Sequence, residues 1–182
     1  LESVLGGRLR PTRGPILAPV ALSAPALPTV LVVDDTPNNL TLVAGLLREF
    51  YKLKLAVRGD KALELVAAAP PDLILLDVVM PGLNGFEVCD VLQKNRKTRH
   101  IPILFLTTLY HKDEAQRGLA LGALDFITKP VNPPIVLARV ATQLHVKATA
   151  DFLKDKAQYL ESEVTKRTQE LAAIQDVTIL AM

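Results

Sequence analysis

Chemistry-capable side chains stand at the ends of four short apolar runs. Asp34 and Asp35 close "TVLVVDD" (29–35), and Asp77 closes "DLILLD" (72–77). Thr107 closes "IPILFLT" (101–107) and is followed by Thr108, while Lys129-Pro130 follows "LDFIT" (124–128). Three carboxylates in one pocket repel each other, so a group of this kind needs a cation to be tolerable at neutral pH. The ligands on offer are oxygens, with no His or Cys nearby, which points to Mg²⁺ rather than zinc. Such an ion keeps several waters and takes one or two carboxylates plus phosphate oxygens. Lys129 can answer a carboxylate or a phosphate as a mobile point charge, and the Thr107 hydroxyl can donate to a phosphoryl oxygen. A carboxylate nucleophile that is deprotonated at neutral pH needs no general base for attack.

Taken singly, each residue has an ordinary explanation. An aspartate after a strand usually caps a helix or occupies a turn, and a threonine at a strand end is a β-former. The joint placement is what carries weight, and it depends on the elements between. "NNLTLVAGLLREF" has apolar residues at 40, 43, 46, 47 and 50, a helical spacing, and Pro37 suits a first helical turn. "YKLKLAV" (51–57) alternates as a sheet-edge strand does. "DKALELVAAA" (60–69) is helical and stops at Pro70-Pro71. "DLILLD" is continuously apolar, the pattern of a strand buried on both faces. A Gly/Pro/Asn turn, a helix near 84–95, the strand 101–107, a helix near 112–121, the strand 124–128 and a helix from about 133 follow. Five strand–helix repeats predict right-handed crossovers and a parallel sheet covered on both faces. In such sheets ligands bind beyond the carboxyl ends of the strands, where these residues lie.

"LVVDD", "LILLDVVMPGLNGFEV", "IPILFLT" and "GALDFITKP" together resemble the receiver domains of two-component response regulators, over about residues 29–146. The resemblance implies a flavodoxin-like, doubly wound α/β fold with five parallel strands in the order 2-1-3-4-5. It implies that Asp77 accepts a phosphoryl group from a sensor histidine kinase. Asp34 and Asp35 would hold Mg²⁺, Asp35 directly and Asp34 partly through water, with the Val79 backbone carbonyl and Asp77 completing the protein ligands. Thr107 and Lys129 would contact the phosphoryl oxygens. Phe126 would be the switch aromatic that swings inward when Thr107 moves, although a plain core phenylalanine explains it equally well. A cis Lys129–Pro130 peptide is also implied.

Phosphatases of the haloacid dehalogenase type also use an aspartyl phosphate, a Thr/Ser and a Lys. They need a second acid two residues after the nucleophile, where this chain has Val79. A phosphorylation-independent dimerisation module is the other alternative, against which the complete set of acids, Thr and Lys argues. The chain is therefore expected to be a receiver and not itself an enzyme.

The rest of the chain sets limits. Apolar residues make up 49% and charged ones 22%, and the formal net charge of +2 argues for no particular partner. Lys94, Arg96, Lys97, Arg99 and His100 cluster without interleaved aromatic residues, so a solvated helix end is expected and no direct nucleic-acid contact. The single Cys89 suits a reducing compartment, and no run approaches the ~18 apolar residues of a membrane span. A cytoplasmic location follows as the expectation. Residues 1–28 hold five of the thirteen prolines and no acid after Glu2, and are expected to be a flexible tail.

After Pro134 no Pro or Gly occurs through residue 180. Leu153, Ala157, Leu160, Val164, Arg167, Leu171, Ile174 and Thr178 step 4, 3, 4, 3, 4, 3, 4, a heptad seam imperfect at Arg167 and Thr178. A coiled-coil homodimer over 147–182 is expected, parallel if it carries a signal onward. "VTKRTQELAAIQDVTILAM" resembles the connector between receivers and HD-GYP phosphodiesterase domains, which cleave cyclic di-GMP. Similar Arg-Thr-x-Glu-Leu runs join other outputs, among them histidine kinases and diguanylate cyclases, so the output stays open. The chain is expected to be a fragment of a larger regulator.

Overall fold

The computed structural model describes residues 27–108 and 120–180, with side chains through 171. The expected helix near 112–121 lies almost wholly outside these residues, as does most of the tail 1–28. Elements run in the order β1 (Thr29–Val33), α1 (Pro37–Leu47), β2 (Lys52–Ala56), α2 (Gly59–Ala68), β3 (Leu73–Asp77), α3 (Gly85–Lys94), β4 (Ile103–Thr107), β5 (Asp125–Thr128) and α4 (Pro133–Leu180). The five strands are parallel in the order β2-β1-β3-β4-β5, which is the flavodoxin-like arrangement expected. Strand ends fall within two residues of the positions read from sequence, and so do the bounds of α2 and α3, whereas α1 ends at Leu47, three residues short of the apolar position 50 read as its last.

The pattern of each strand follows from its place. β3 and β4 are central, and every residue of each is buried. Alternate residues serve opposite faces: Ile74, Leu76, Ile103 and Phe105 pack under α2 and α3, whereas Leu73, Leu75, Leu104 and Leu106 pack against α1 and α4. Fully burying one such side chain stabilises by about 1.5–3 kcal/mol. β2 is an edge strand: Ala56 is buried and Leu53 packs on the α1 and α4 side, whereas Lys52 and Leu55 are exposed and Lys54 is half-buried. Register then aligns the strand ends. Asp77 pairs with Leu106 and Thr107 with Thr128, so β3, β4 and β5 release their chains at one edge of the sheet.

The turn after β3 is tightly fixed. Gly82 has φ +79°, a left-handed conformation that glycine adopts without strain. A Cβ on Gly85 would lie 2.3 Å from the Asp77 carbonyl oxygen, so no larger residue fits without backbone movement. Asn84 then caps α3: its side chain accepts from the Glu87 N–H at 3.0 Å, and the Glu87 carboxylate accepts from the Asn84 N–H at 2.8 Å.

α4 begins as part of the core and ends outside it. Val136, Val140 and Leu144 are buried. Lys147 marks the exit, its ammonium donating to Asp151 at 2.7 Å and to Asp72 at 3.5 Å. Beyond it, through residue 171, large apolar residues face outward, with Leu153 59%, Leu160 51%, Val164 64% and Leu171 64% exposed. No helix among the described residues is long and apolar enough to cross a membrane.

Candidate functional site

Each candidate side chain is delivered by the end of a strand. Asp34 and Asp35 follow β1, Asp77 is the last residue of β3, Thr107 is the last of β4, and Lys129 follows β5. Carboxylate oxygens of Asp34, Asp35 and Asp77 all lie within 4.8 Å of one another. Asp34 is fully buried and Asp77 and Thr107 are each only 4% exposed, whereas Asp35 is partly open to solvent. The Lys129–Pro130 peptide is cis. The Lys129 ammonium donates to Asp34 Oδ2 and Asp77 Oδ2, 2.7 Å each. The Lys129 N–H donates to the Thr107 carbonyl at 2.8 Å, tying the two strand ends together.

Asp77 carries the electrostatic cost of the site. Burial pushes its pKa above the ordinary carboxylate value, and the nearby charge of Asp34 adds to that. The hydrogen bond and charge of Lys129 and the Val79 N–H, 3.3 Å from Oδ1, work in the opposite direction without prevailing. For Lys129 itself burial lowers the pKa, but its bonds to Asp34 and Asp77 outweigh burial and hold the ammonium above its usual value. Among the described residues, three carboxylates gather around the Lys129 ammonium, an arrangement that favours a further positive charge. Its donors are all oxygens, the set suited to Mg²⁺, so the residues fit such an ion.

Of the remaining expected residues, Val79 lies beside Asp77 through the backbone contact just described, with its side chain 57% exposed. Phe126 is partly buried, its ring tilted at 32° and 5.4 Å from that of Phe105, which in turn meets Phe86 edge-on at 5.1 Å. The basic residues after α3, Arg96, Lys97, Arg99 and His100, are exposed. A cavity of about 390 Å³ beside His100 and Lys147 lies at the other end of the sheet and contains none of the clustered acids.

One neighbour went unread in the sequence. The Asn39 side-chain amide donates to both oxygens of Asp34, 3.1 Å each. The Thr36 N–H donates to Asp34 Oδ1 at 2.9 Å. A polar residue in the first turn after paired acids was the available signal, but such residues are common at helix starts for capping reasons alone.

Residues 30–141 match the family described as the response regulator receiver domain. The chain is 42% identical over 154 residues to a probable cyclic di-GMP phosphodiesterase of Vibrio cholerae, covering 85% of this chain and 35% of that protein. It is 41% identical over 128 residues to the response regulator PleD of Caulobacter vibrioides, covering 70% of this chain and 28% of that protein. The chain thus spans about a third of the length of these curated relatives. Among solved structures, the chemotaxis protein CheY4 of Vibrio cholerae superposes with a TM-score of 0.62 at 33% identity, over 64% of this chain and 98% of that one.

Proposed function

The chain belongs to the family of response regulator receiver domains, and from that premise we propose that Asp77 is its phosphoryl acceptor, working with Mg²⁺ and a sensor histidine kinase. The observation that carries this reading is the cluster itself: three carboxylates within 4.8 Å, two of them bridged by Lys129 at 2.7 Å. Asp34, Asp35 and Asp77 would hold the ion, with the Val79 carbonyl as the further protein ligand. Bound there, Mg²⁺ supplies positive charge that neutralises the phosphoryl group during transfer.

The chain's own residues do the rest. An Asp77 oxygen attacks phosphorus as the bond from phosphorus to the kinase's histidine nitrogen breaks. That nitrogen leaves with the bonding electrons. Lys129, already against Asp77, moves its charge to a phosphoryl oxygen, and the Thr107 hydroxyl donates to another. Thr107 movement frees space beside Phe126, whose ring already leans on Phe105, and this is the proposed switch. Incubation with Mg²⁺ and a small phosphodonor such as acetyl phosphate should add one phosphoryl mass to the intact chain. Loss of the adduct in Asp77→Asn is the expected control. No adduct, or one that survives this substitution, overturns the reading.

The proposal divides the chain into a tail (1–28), a receiver (29–146) and a connector (147–182) that pairs as a parallel coiled coil with a second copy. Exposed Leu153, Leu160, Val164 and Leu171 at heptad spacing support the pairing. Sedimentation of a chain ending at residue 147 tests it: dimerisation as tight as that of the full chain would rule out the seam as the main interface. The match to the Vibrio cholerae protein runs over 154 residues, beyond the receiver match of 30–141. That extent supports an output acting on cyclic di-GMP, to be tested by hydrolysis of that nucleotide by the full regulator with and without phosphodonor.

A further inference from the structure

The geometry points to Asn39 as a positioning residue: it aims the Asp34 carboxylate at the metal position, and Mg²⁺ affinity depends on its amide. This inference rests on the phosphoacceptor reading above. Asp34 is fully buried, and its oxygens are held by three donors. Oδ1 accepts from the Thr36 N–H at 2.9 Å and from Asn39 at 3.1 Å; Oδ2 accepts from Lys129 at 2.7 Å and from Asn39 at 3.1 Å. Asn39 alone among the three contacts both oxygens, so it fixes the rotation of the carboxylate plane. Its nitrogen must face Asp34, because an amide oxygen against a carboxylate would be repelled.

The three donors differ in charge and in commitment. Lys129 is shared with Asp77 and sits on a flexible stem, so its charge is available to a phosphoryl group. A cation arriving at the acids also competes electrostatically with that ammonium. Asn39 does neither: a neutral donor orients Asp34 while leaving its negative charge for the ion. Its anchorage is local, since Pro37 starts α1 and the Asn39 N–H donates to the Thr36 carbonyl at 3.0 Å. A cavity of about 150 Å³ adjoins it, lined also by Asp34, Leu106 and Lys129, with room for one more methylene.

The test separates donation from packing. Mg²⁺ binding is measured by calorimetry and by amide NMR titration on the full chain, for wild type, Asn39→Leu, Asn39→Gln and Asp35→Asn. Removing a residue that holds a metal ligand typically costs 10–100-fold in affinity. Asn39→Leu, which keeps the volume but not the donor, is expected to weaken Mg²⁺ roughly tenfold. Asn39→Gln, whose longer amide can use the cavity, is expected within about threefold of wild type. In wild type the Asn39 side-chain NH₂ signals should shift along the titration with the same midpoint as the backbone of Asp34. Leu within twofold of wild type, Gln as weak as Leu, or NH₂ signals that stay flat overturns the inference, and the last needs no variant to fold. Absence of binding in wild type, or its survival in Asp35→Asn, instead overturns the underlying metal reading.

Discussion

Replacing Lys129 with Met removes the ammonium from between Asp34 and Asp77 while keeping most of the apolar stem. Its Nζ lies 2.7 Å from an oxygen of each, and the side chain is 15% exposed. At about 4 Å between charge centres and an effective dielectric near 20, each attraction is worth ~4 kcal/mol. Dehydrating the ammonium offsets several kcal/mol of this, and breaking a buried pair typically costs about 3–5 kcal/mol. Partial exposure reduces that, so a loss of roughly 2–4 kcal/mol at pH 8 without metal is expected. The pH dependence is the sharper test. Asp77 has a raised pKa because of burial, and Lys129 is the main influence opposing the rise. Above the ordinary carboxylate value the folded chain then holds a proton that the unfolded chain has released, so this contribution is full at low pH and is lost as pH rises through the folded value. Without Lys129 that window extends higher. Urea unfolding followed by circular dichroism, in chelator from pH 5 to pH 8, should show the variant losing much less at pH 5 than at pH 8. Mg²⁺ at 100 times its Kd should restore about 2.7 kcal/mol. A deficit equal at every pH, or a variant as stable as wild type at pH 8, refutes the electrostatic account.

Gly85→Ala would force the backbone to yield, since its Cβ would sit 2.3 Å from the Asp77 carbonyl oxygen. A stability loss of about 1–3 kcal/mol is expected in urea, together with at least a tenfold slower reaction with acetyl phosphate, because small misplacements of a nucleophile are costly. The Cys89 thiol is pushed up to about 11, burial being the larger cause and the charge of Asp90 the smaller. Only about one thiol in a thousand is then ionised at pH 8, so a disulfide reagent should label folded protein slowly and urea-unfolded protein at once. Val164→Glu places a charge on the exposed seam; sedimentation should show weaker self-association, while urea unfolding of the receiver shifts by no more than about 0.5 kcal/mol.

The parts of the site that were legible in sequence share one property: topology alone places them. A parallel sheet releases every strand's carboxyl end at the same edge, so Asp35, Asp77, Thr107 and Lys129 converge whatever the loops between them do. The apolar runs carried the rest, because "LILL" buried on both faces admits only a central strand, whereas "KLKL" admits an edge. Asn39 obeys no such rule. Its contact with Asp34 depends on how the two residues after β1 bend and on where Pro37 starts the helix, details that spacing does not encode. The Asn84–Glu87 box was written in the sequence as N-x-x-E, yet a Gly/Pro/Asn turn explained the same residues and hid it. The outward apolar residues of α4 are legible as a heptad pattern, and the pattern by itself names no partner. Placement and aim therefore have separate sources here. Substitutions inside β3 or β4 should act first on folding, and substitutions in the turns after β1 and β3 should act first on what the acids can hold.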